Sequence, residues 1–317
     1  MAATPATPVP VLVEPSVPSA TNSAAALTWT SLERWATARG LAAPRKLGNS
    51  PLITYAVTSP QGTLGLAIGS RAATWRGADL HLGFSPELVD GQVFVHELDL
   101  RKNLEPLLLG GPLALGASRV IVLDPGHGGT QPGAISVADG RNEKDFTLDW
   151  ALRIQSLLAA KGWTVWLTRT NDAEVSLADR VALAEACRAY AFVSLHFNSV
   201  TPDRRQKGLE IYCLTPTGMP STLTRGYSDP LDGHYPNNDF DAANLLLAVR
   251  LQNALLHATG EEDRGVRRAR FMGVLLGQHR PAVLIEGGYL SNPQEASRIA
   301  TTEFRQKLAE AVAEALD

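Results

Sequence analysis

The chain has 317 residues, of which 44% are hydrophobic and 19% are charged, so it can bury a sizeable core and is not intrinsically disordered as a whole. Its 29 basic and 32 acidic residues give a formal net charge of −3, whereas nucleic-acid-binding proteins usually carry a basic surplus. We therefore expect no nucleic-acid partner. The sequence has no run of about 18 uncharged apolar residues, so no transmembrane segment is predicted.

The first segment, residues 1–26, is rich in Pro, Ala, Ser and Thr and contains no Lys or Arg. This composition predicts a disordered linker or tail. The segment also lacks the basic start and the apolar stretch of a signal peptide. Two interpretations stay open at this point: a linker left after removal of an export signal, or the irregular N terminus of a cytoplasmic protein.

Residues 27–110 predict a small β-rich accessory domain. A short helix is expected within SLERWATARGL, and turn signals separate the β-like runs LITYAVT, TLGLAIG, ATWRGADLHLG and QVFVHELDL. His81 and His96 fall within these runs. We interpret both as half-exposed strand residues rather than metal ligands.

Residues 118–317 show a different pattern, in which apolar strands alternate with amphipathic helices. The expected strands are RVIVLD, TVWLT, AFVSL, LEIYCL and PAVLIE, and the expected helices cover 143–162, 241–258 and 303–316, with a capping box at Ser176–Asp179. Such alternation implies an open, largely parallel sheet with helices on both faces. The predicted architecture is this α/β fold preceded by the small β-rich domain.

Two cysteines, Cys187 and Cys213, are too few for a disulfide framework or a thiolate metal cluster. One disulfide is possible, but two buried free thiols are the favoured interpretation. A metal site would therefore depend on histidines and carboxylates.

Titratable residues follow three of the predicted strands, and functional residues of open α/β sheets collect at the carboxyl ends of strands. His127 comes just after RVIVLD, His196 directly follows AFVSL, and Glu286 ends PAVLIE. Glu143 opens the helix after the first of these strands. We expect these four side chains to converge on one edge of the sheet.

Two histidines and one carboxylate, with one open position, are the ligand set of a hydrolytic zinc site. Zinc lowers the pKa of a bound water and polarises a carbonyl, while a fourth acidic group transfers the proton. His127, Glu143 and His196 fit the ligand role, and Glu286 fits the proton-transfer role. Each has a simpler alternative: a loop histidine, a glutamate that complements a helix dipole, or, for Glu286, a buried ion pair with Arg169.

Six motifs in one order surround these residues: LDPGHGG (123–129), NEKDFTLDWALRIQSLLAAKGWTVWLTRTND (142–172), SLADR (176–180), FVSLHFNS (192–199), KGLEIY (207–212) and PAVLIEGGYLSNPQEA (281–296). Over about 118–317 the chain closely resembles the zinc-dependent N-acetylmuramoyl-L-alanine amidases of the amidase-3 type. The resemblance implies a peptidoglycan hydrolase that cleaves the amide between N-acetylmuramic acid and L-alanine of the stem peptide. It also implies Zn²⁺ as cofactor, His127, Glu143 and His196 as its ligands, and Glu286 as the catalytic glutamate.

This resemblance further implies peptidoglycan or a muropeptide as substrate, and a location in the cell envelope, periplasmic or extracellular. Within the first block, LHLGFSPELVDGQVFVHELDLRKNLEPLL resembles the N-terminal domains of copper amine oxidases, which are often appended to bacterial wall enzymes. Three roles for residues 27–110 stay open at this point: wall anchoring, contact with a divisome partner, and mere spacing. The alternatives are a non-catalytic peptidoglycan-binding module and another zinc hydrolase, either a peptidase or a deacetylase.

One further segment, residues 216–240, is rich in Gly, Pro, Asn and Asp and predicts a mobile loop that faces the substrate. Its Arg225, Tyr227, His234 and Tyr235 could contact glycan or peptide. Their simpler interpretation is that they are solvated loop residues.

Overall fold

The computed structural model describes residues 29–111 and 119–317, so the tail predicted for residues 1–26 lies outside the described residues. The strands are β1 (Trp29–Ser31), β2 (Arg45–Gly48), β3 (Thr54–Ser59), β4 (Gly62–Ala67), β5 (Ala72–Trp75), β6 (Ala78–His81), β7 (Glu87–Val89), β8 (Gln92–His96), β9 (Val120–Pro125), β10 (Thr164–Leu167), β11 (Ala191–Asn198), β12 (Leu209–Leu214), β13 (Asp263–Ala269) and β14 (Ala282–Tyr289).

The helices in the same ranges are α1 (Leu32–Ala38), α2 (Glu97–Asp99), α3 (Glu105–Leu108), α4 (Glu143–Ala160), α5 (Leu177–Ala186), α6 (Asp241–Thr259), α7 (Gly273–Leu276), α8 (Pro293–Ile299) and α9 (Thr302–Leu316). A π-helical segment, Leu100–Leu104, joins α2 to α3, and a 3₁₀ turn, Pro236–Phe240, precedes α6. None of these helices has the length and apolar character that a bilayer crossing requires.

A large mixed sheet organises the second half of the chain, in the strand order β10-β9-β11-β14-β12-β13. The first four strands run parallel, whereas β12 is antiparallel to β14 and parallel to β13. This confirms the predicted α/β class with a largely parallel core. The single reversal at β12 makes the sheet mixed.

Helices cover both faces of this sheet, as the strand composition predicts. On one face, side chains such as Ile121, Val193 and Ile285 pack with the buried sides of α4, α6 and α9. On the other face, Phe192 and Leu284 pack with α5 and α7. Because both faces are covered, the central strands β9, β11 and β14 are buried on both sides and contain continuous apolar runs rather than an alternating pattern.

The N-terminal block extends the same sheet. Strand β6 pairs in parallel with β13 through Leu80 and Val266, and β5, β4, β3 and β2 follow outward as an antiparallel meander. Strands β1, β8 and β7 form a separate small antiparallel sheet. The division of the chain into an accessory domain and a catalytic domain stays a prediction.

The β-like run QVFVHELDL is only partly a strand. Strand β8 ends at His96, whose Nδ1 accepts a hydrogen bond from the backbone N–H of Leu98 at 3.1 Å and so caps α2. The His96 ring is buried and stacks on Phe84 at 3.7 Å between ring centroids, so its expected half-exposure is wrong, whereas His81 is half-buried as expected. Both cysteines are free thiols as expected, but only Cys213 is buried, whereas Cys187 is half-buried.

Helix α4 offers a direct test of the packing, because it carries one fully buried and one exposed leucine. Leu158 is 0% exposed in the main core, while Leu152 is 42% exposed. We expect Leu158→Ala to lower the free energy of unfolding by about 2–5 kcal/mol, since it removes packed methyl groups and leaves a cavity. Leu152→Ala is the matched control and should change it by less than about 1 kcal/mol in urea titrations. Equal effects of the two substitutions would contradict this packing.

Candidate metal centre and catalytic carboxylate

The predicted site residues meet at the carboxyl edge of the parallel strands. Strand β9 leads into His127, and the next two strands of the sheet carry His196 and Glu286, which lie directly opposite each other in register. A backbone hydrogen bond of 3.0 Å from Gly126 N to Leu195 O ties the first loop to β11. The convergence predicted from the strand ends is therefore present in the structure.

Glu143, the first residue of α4, lies between the two imidazoles. Its Oε2 is 3.1 Å from His127 Nε2, and its Oε1 is 2.9 Å from His196 Nδ1. One donor atom from each of the three residues lies within 4.8 Å of the others. Two imidazole nitrogens and one carboxylate oxygen form a donor set that suits a divalent metal ion and leaves further coordination positions free.

Backbone groups fix the Glu143 carboxylate in place. The N–H of Ala134 donates to Oε2 at 2.9 Å, and the N–H of Phe197 donates to Oε1 at 3.0 Å. Burial acts to raise the pKa of Glu143, but the hydrogen bonds and charges of His127 and His196 outweigh it and hold the pKa below its ordinary range. The carboxylate is therefore ionised, as a metal ligand must be.

Glycines give this cluster the space it needs. A Cβ atom at Gly126 would lie 2.3 Å from His196 Cε1, and one at Gly133 would lie 2.7 Å from His127 Cδ2. His127 itself has φ of 62°, which is uncommon for a residue with a side chain. A side chain at Gly126 or at Gly133 would therefore collide with one of the two imidazole rings.

Two buried arginines support the loop after β9, and the sequence did not single out this role. Arg180 Nη2 donates to His127 O at 2.8 Å, and Arg169 Nη2 donates to Gly126 O at 2.9 Å. The alternative in which Arg169 forms an ion pair with Glu286 is wrong, because its guanidinium binds loop carbonyls instead. The SLADR motif that contains Arg180 was the available signal.

Glu286 is only 6% exposed, and its Oε2 has no hydrogen-bond partner among the described residues. Burial raises the pKa of this carboxyl well above its ordinary value, the charges of Glu143 and Glu210 raise it further, and the charge of Arg225 acts in the opposite direction. A carboxyl group with a raised pKa can both accept and return a proton near neutral pH.

Glu210 is a site residue that sequence analysis missed. It lies opposite Glu286 in the antiparallel pairing of β12 with β14, so the two side chains share one face of the sheet. Its Oε1 accepts from Asn198 Nδ2 at 2.6 Å and from the Tyr289 hydroxyl at 3.1 Å, and its Oε2 is 2.7 Å from Arg267 Nε. Both carboxylate oxygens of Glu210 thus have partners, whereas Oε2 of the neighbouring Glu286 has none among the described residues.

Only part of the 216–240 loop reaches this site. Arg225 Nη2 donates to Asn198 Oδ1 at 3.3 Å, while Tyr227, 65% exposed, stacks on Phe271. His234 contacts Thr217 in its own loop at 3.2 Å, which agrees with the solvated interpretation. The other predicted contact residue, Tyr235, is half-buried at the start of the 3₁₀ turn before α6.

Comparison with known proteins adds independent information. Residues 121–317 match a family described as N-acetylmuramoyl-L-alanine amidase. The N-acetylmuramoyl-L-alanine amidase AmiC of Escherichia coli is 33% identical over 238 residues, which cover 68% of this chain and 56% of AmiC. AmiA of E. coli K12 is 31% identical over 220 residues, which cover 63% of this chain and 75% of AmiA.

Among solved structures, the amidase AmiC2 of Nostoc punctiforme superposes with a TM-score of 0.52 and 31% identity, covering 63% of this chain and 97% of that chain. The chain spans about half the length of the AmiC relatives from E. coli and Neisseria meningitidis, 56% in each case. The likeness to AmiC2 supports the mixed α/β fold described above.

The close approach at Gly126 generates a prediction about metal affinity. Gly126→Ala should weaken binding of a divalent metal ion roughly tenfold or more, because the new methyl group would displace the His196 ring. Gly111→Ala is the control, since its added Cβ would meet no atom of the described residues within 4 Å. Isothermal titration of the metal-free proteins measures both affinities. Unchanged affinity in the Gly126 variant would show that the His196 position is not needed for binding.

Proposed function

Since the chain belongs to the amidase-3 family of N-acetylmuramoyl-L-alanine amidases, we propose that it hydrolyses the amide bond between N-acetylmuramic acid and L-alanine of the peptidoglycan stem peptide. The observation that carries this proposal is the grouping of His127, Glu143 and His196 beside the buried Glu286 at one sheet edge. These are the two parts of a metal-assisted amide hydrolase: a ligand set and an acid–base group.

Zinc dependence is typical of this family, and the donor set fits Zn²⁺. We assign His127, Glu143 and His196 as its ligands. A bound zinc ion supplies Lewis-acid chemistry, polarising a carbonyl and lowering the pKa of a water. The protein holds the Glu143 carboxylate ionised through the hydrogen bonds from Ala134 and Phe197, and it orients the His127 loop through Arg180.

Glu286 carries the proton in this proposal. It takes a proton from the attacking water and returns it to the nitrogen of the departing L-alanine. Its free Oε2 is the acceptor, and its raised pKa lets the protonated form persist long enough to act as the acid. Glu210 and the groups around it stay in place during this transfer.

Two alternative functions are less well supported. A silent peptidoglycan-binding module has no need for a buried, unpaired carboxyl beside a metal-binding cluster. A zinc peptidase or deacetylase could use the same donor set, so the products of the reaction must distinguish it from an amidase.

The substrate determines the location and the partners that we propose. Peptidoglycan, or a muropeptide derived from it, lies in the cell envelope, so a periplasmic or extracellular location follows. We infer that residues 27–110 serve as an accessory domain, through which the protein contacts the wall or a divisome partner. The continuous sheet from β13 to β6 would hold such a block rigidly beside the catalytic strands.

Product analysis tests the proposed reaction. Incubation of purified peptidoglycan with the zinc-loaded protein should release stem peptides with a free L-alanine amino group, and leave glycan with intact lactyl carboxylates. Mass spectrometry identifies both products, and a chelator should stop their formation until Zn²⁺ is restored. Cleavage at a peptide bond, loss of acetyl groups, or turnover that a chelator does not affect would refute the amidase assignment.

Substitution of the catalytic glutamate tests its role separately. Glu286→Gln should lower kcat by at least about 10²-fold, because the amide cannot transfer the proton, while the bound zinc stays at one equivalent by elemental analysis. Glu310→Gln, on the exposed side of α9, is the matched control and should retain wild-type turnover. Near-normal hydrolysis by the Glu286 variant would exclude it as the acid–base group.

A further inference from the structure

A tight turn in the loop between β12 and α6 brings an arginine to Asn198, at the end of β11. The N–H of Tyr227 donates to Thr224 O at 2.9 Å, and the two central residues, Arg225 and Gly226, have φ of 50° and 80°. Two central residues with positive φ are the pattern of a type I′ turn, which favours glycine, asparagine or aspartate. An arginine at the first of these positions therefore adopts an uncommon backbone conformation.

Aromatic and amide groups fix the direction of this arginine. The guanidinium lies over the Phe271 ring at 5.4 Å, and Nη2 donates to Asn198 Oδ1 at 3.3 Å. Tyr227 stacks on the same Phe271 ring, with 5.7 Å between centroids and 17° between planes. Phe271 also meets the edge of Tyr212 at 6.3 Å. The turn tip and Phe271 thus form one packed wall beside the site.

The base of the turn is anchored by polar contacts. Asp229 accepts hydrogen bonds from the N–H and the hydroxyl of Ser221 at 2.8 and 2.7 Å, and it forms an ion pair with the buried Arg270. Arg71 of the N-terminal block donates to Pro220 O at 3.2 Å. These contacts fix the two ends of the segment that carries the turn, so they limit how far the backbone of Arg225 can move.

Arg225 is an exposed residue, and its hydrogen bond to Asn198 places the guanidinium two residues along β11 from His196. Burial acts to lower its pKa, but the neighbouring Tyr212, Glu286 and Glu210 raise it, so the side chain stays positively charged. Glu210 is already engaged by Asn198, Tyr289 and Arg267, which leaves Arg225 without a dedicated carboxylate partner among the described contacts. Asn198, which accepts from Arg225, also donates to Glu210, and Glu210 lies opposite Glu286 in register, so the cation is close to the catalytic carboxyl and open to a substrate.

We propose that Arg225 is a catalytic residue that donates N–H hydrogen bonds to the oxygen of the scissile carbonyl as that oxygen becomes negatively charged. This inference rests on the proposed amidase function. When the water oxygen bonds to the carbonyl carbon, the electron pair of the C=O double bond moves onto the oxygen beside Arg225. The carbonyl then re-forms, the C–N bond breaks, and the nitrogen receives its proton from Glu286, while Arg225 transfers no proton.

The test compares two arginines in similar turns. Arg225→Met should lower kcat by about 10²–10³-fold with KM changed less than about threefold, because the lost contact forms only in the transition state. Arg225→Lys should recover part of the loss, since it restores the charge but not the planar fork. The control is Arg76→Met. Arg76 also has a positive φ, precedes a glycine, and has its guanidinium 5.6 Å from the centroid of the Trp75 ring. It lies between β5 and β6 in the N-terminal block, outside the candidate site. That variant should match wild type.

A binding measurement provides a readout that does not depend on turnover. A phosphinate analogue of the muramoyl–alanine junction, which mimics the tetrahedral state, should bind Arg225→Met at least about tenfold more weakly than wild type. Intact muropeptide should bind Glu286→Gln with the same affinity whether or not Arg225→Met is added.

Two outcomes would overturn the role of Arg225: an unchanged kcat in Arg225→Met, whatever its KM, or an unchanged affinity of that variant for the phosphinate analogue. A wild-type protein that releases no stem peptide refutes the amidase function itself, so the two failures are distinguishable.

Discussion

The register between β11 and its neighbours β9 and β14 is the constraint on which the site depends. This register sets His196 directly opposite Glu286 and brings the loop that carries His127 alongside both. A shift of one residue along β14 would turn the Glu286 side chain to the other face of the sheet, where the helices α4, α6 and α9 pack. Apolar burial on both faces holds the register, so the same packing that stabilises the protein positions its chemistry.

The two buried carboxyl groups of the site, Glu143 and Glu286, have opposite electrostatic environments. Backbone N–H groups and two imidazoles surround Glu143 and hold it ionised, whereas Glu286 faces other carboxylates and has an unpaired oxygen. Their pKa values are displaced in opposite directions, which separates the metal-binding role from the acid–base role. Neighbouring groups, rather than residue type, assign the two roles.

Much of this site could be predicted because three of the apolar strands lead into a titratable residue, and parallel strands end at one edge. Glu210 and Arg225 could not be found in this way. Glu210 lies inside the apolar run of β12, and it reaches the site only because β12 runs antiparallel to β14, a reversal with no local signal. Arg225 lies in a turn whose position depends on contacts with Ser221, Asp229 and the distant Arg71.

Strand β13 was missed for a related reason, since its sequence DRGVRRA contains three arginines and no apolar run that would predict a strand. The central claim is that His127, Glu143 and His196 hold one divalent ion next to Glu286. Anomalous diffraction from crystals of the zinc-loaded protein, recorded on both sides of the zinc absorption edge, measures this directly. The account predicts one strong peak at bonding distance from two imidazole nitrogens and one Glu143 oxygen, with the Glu286 carboxyl facing it. A peak elsewhere, or an ion with no contact to these three side chains, would contradict it.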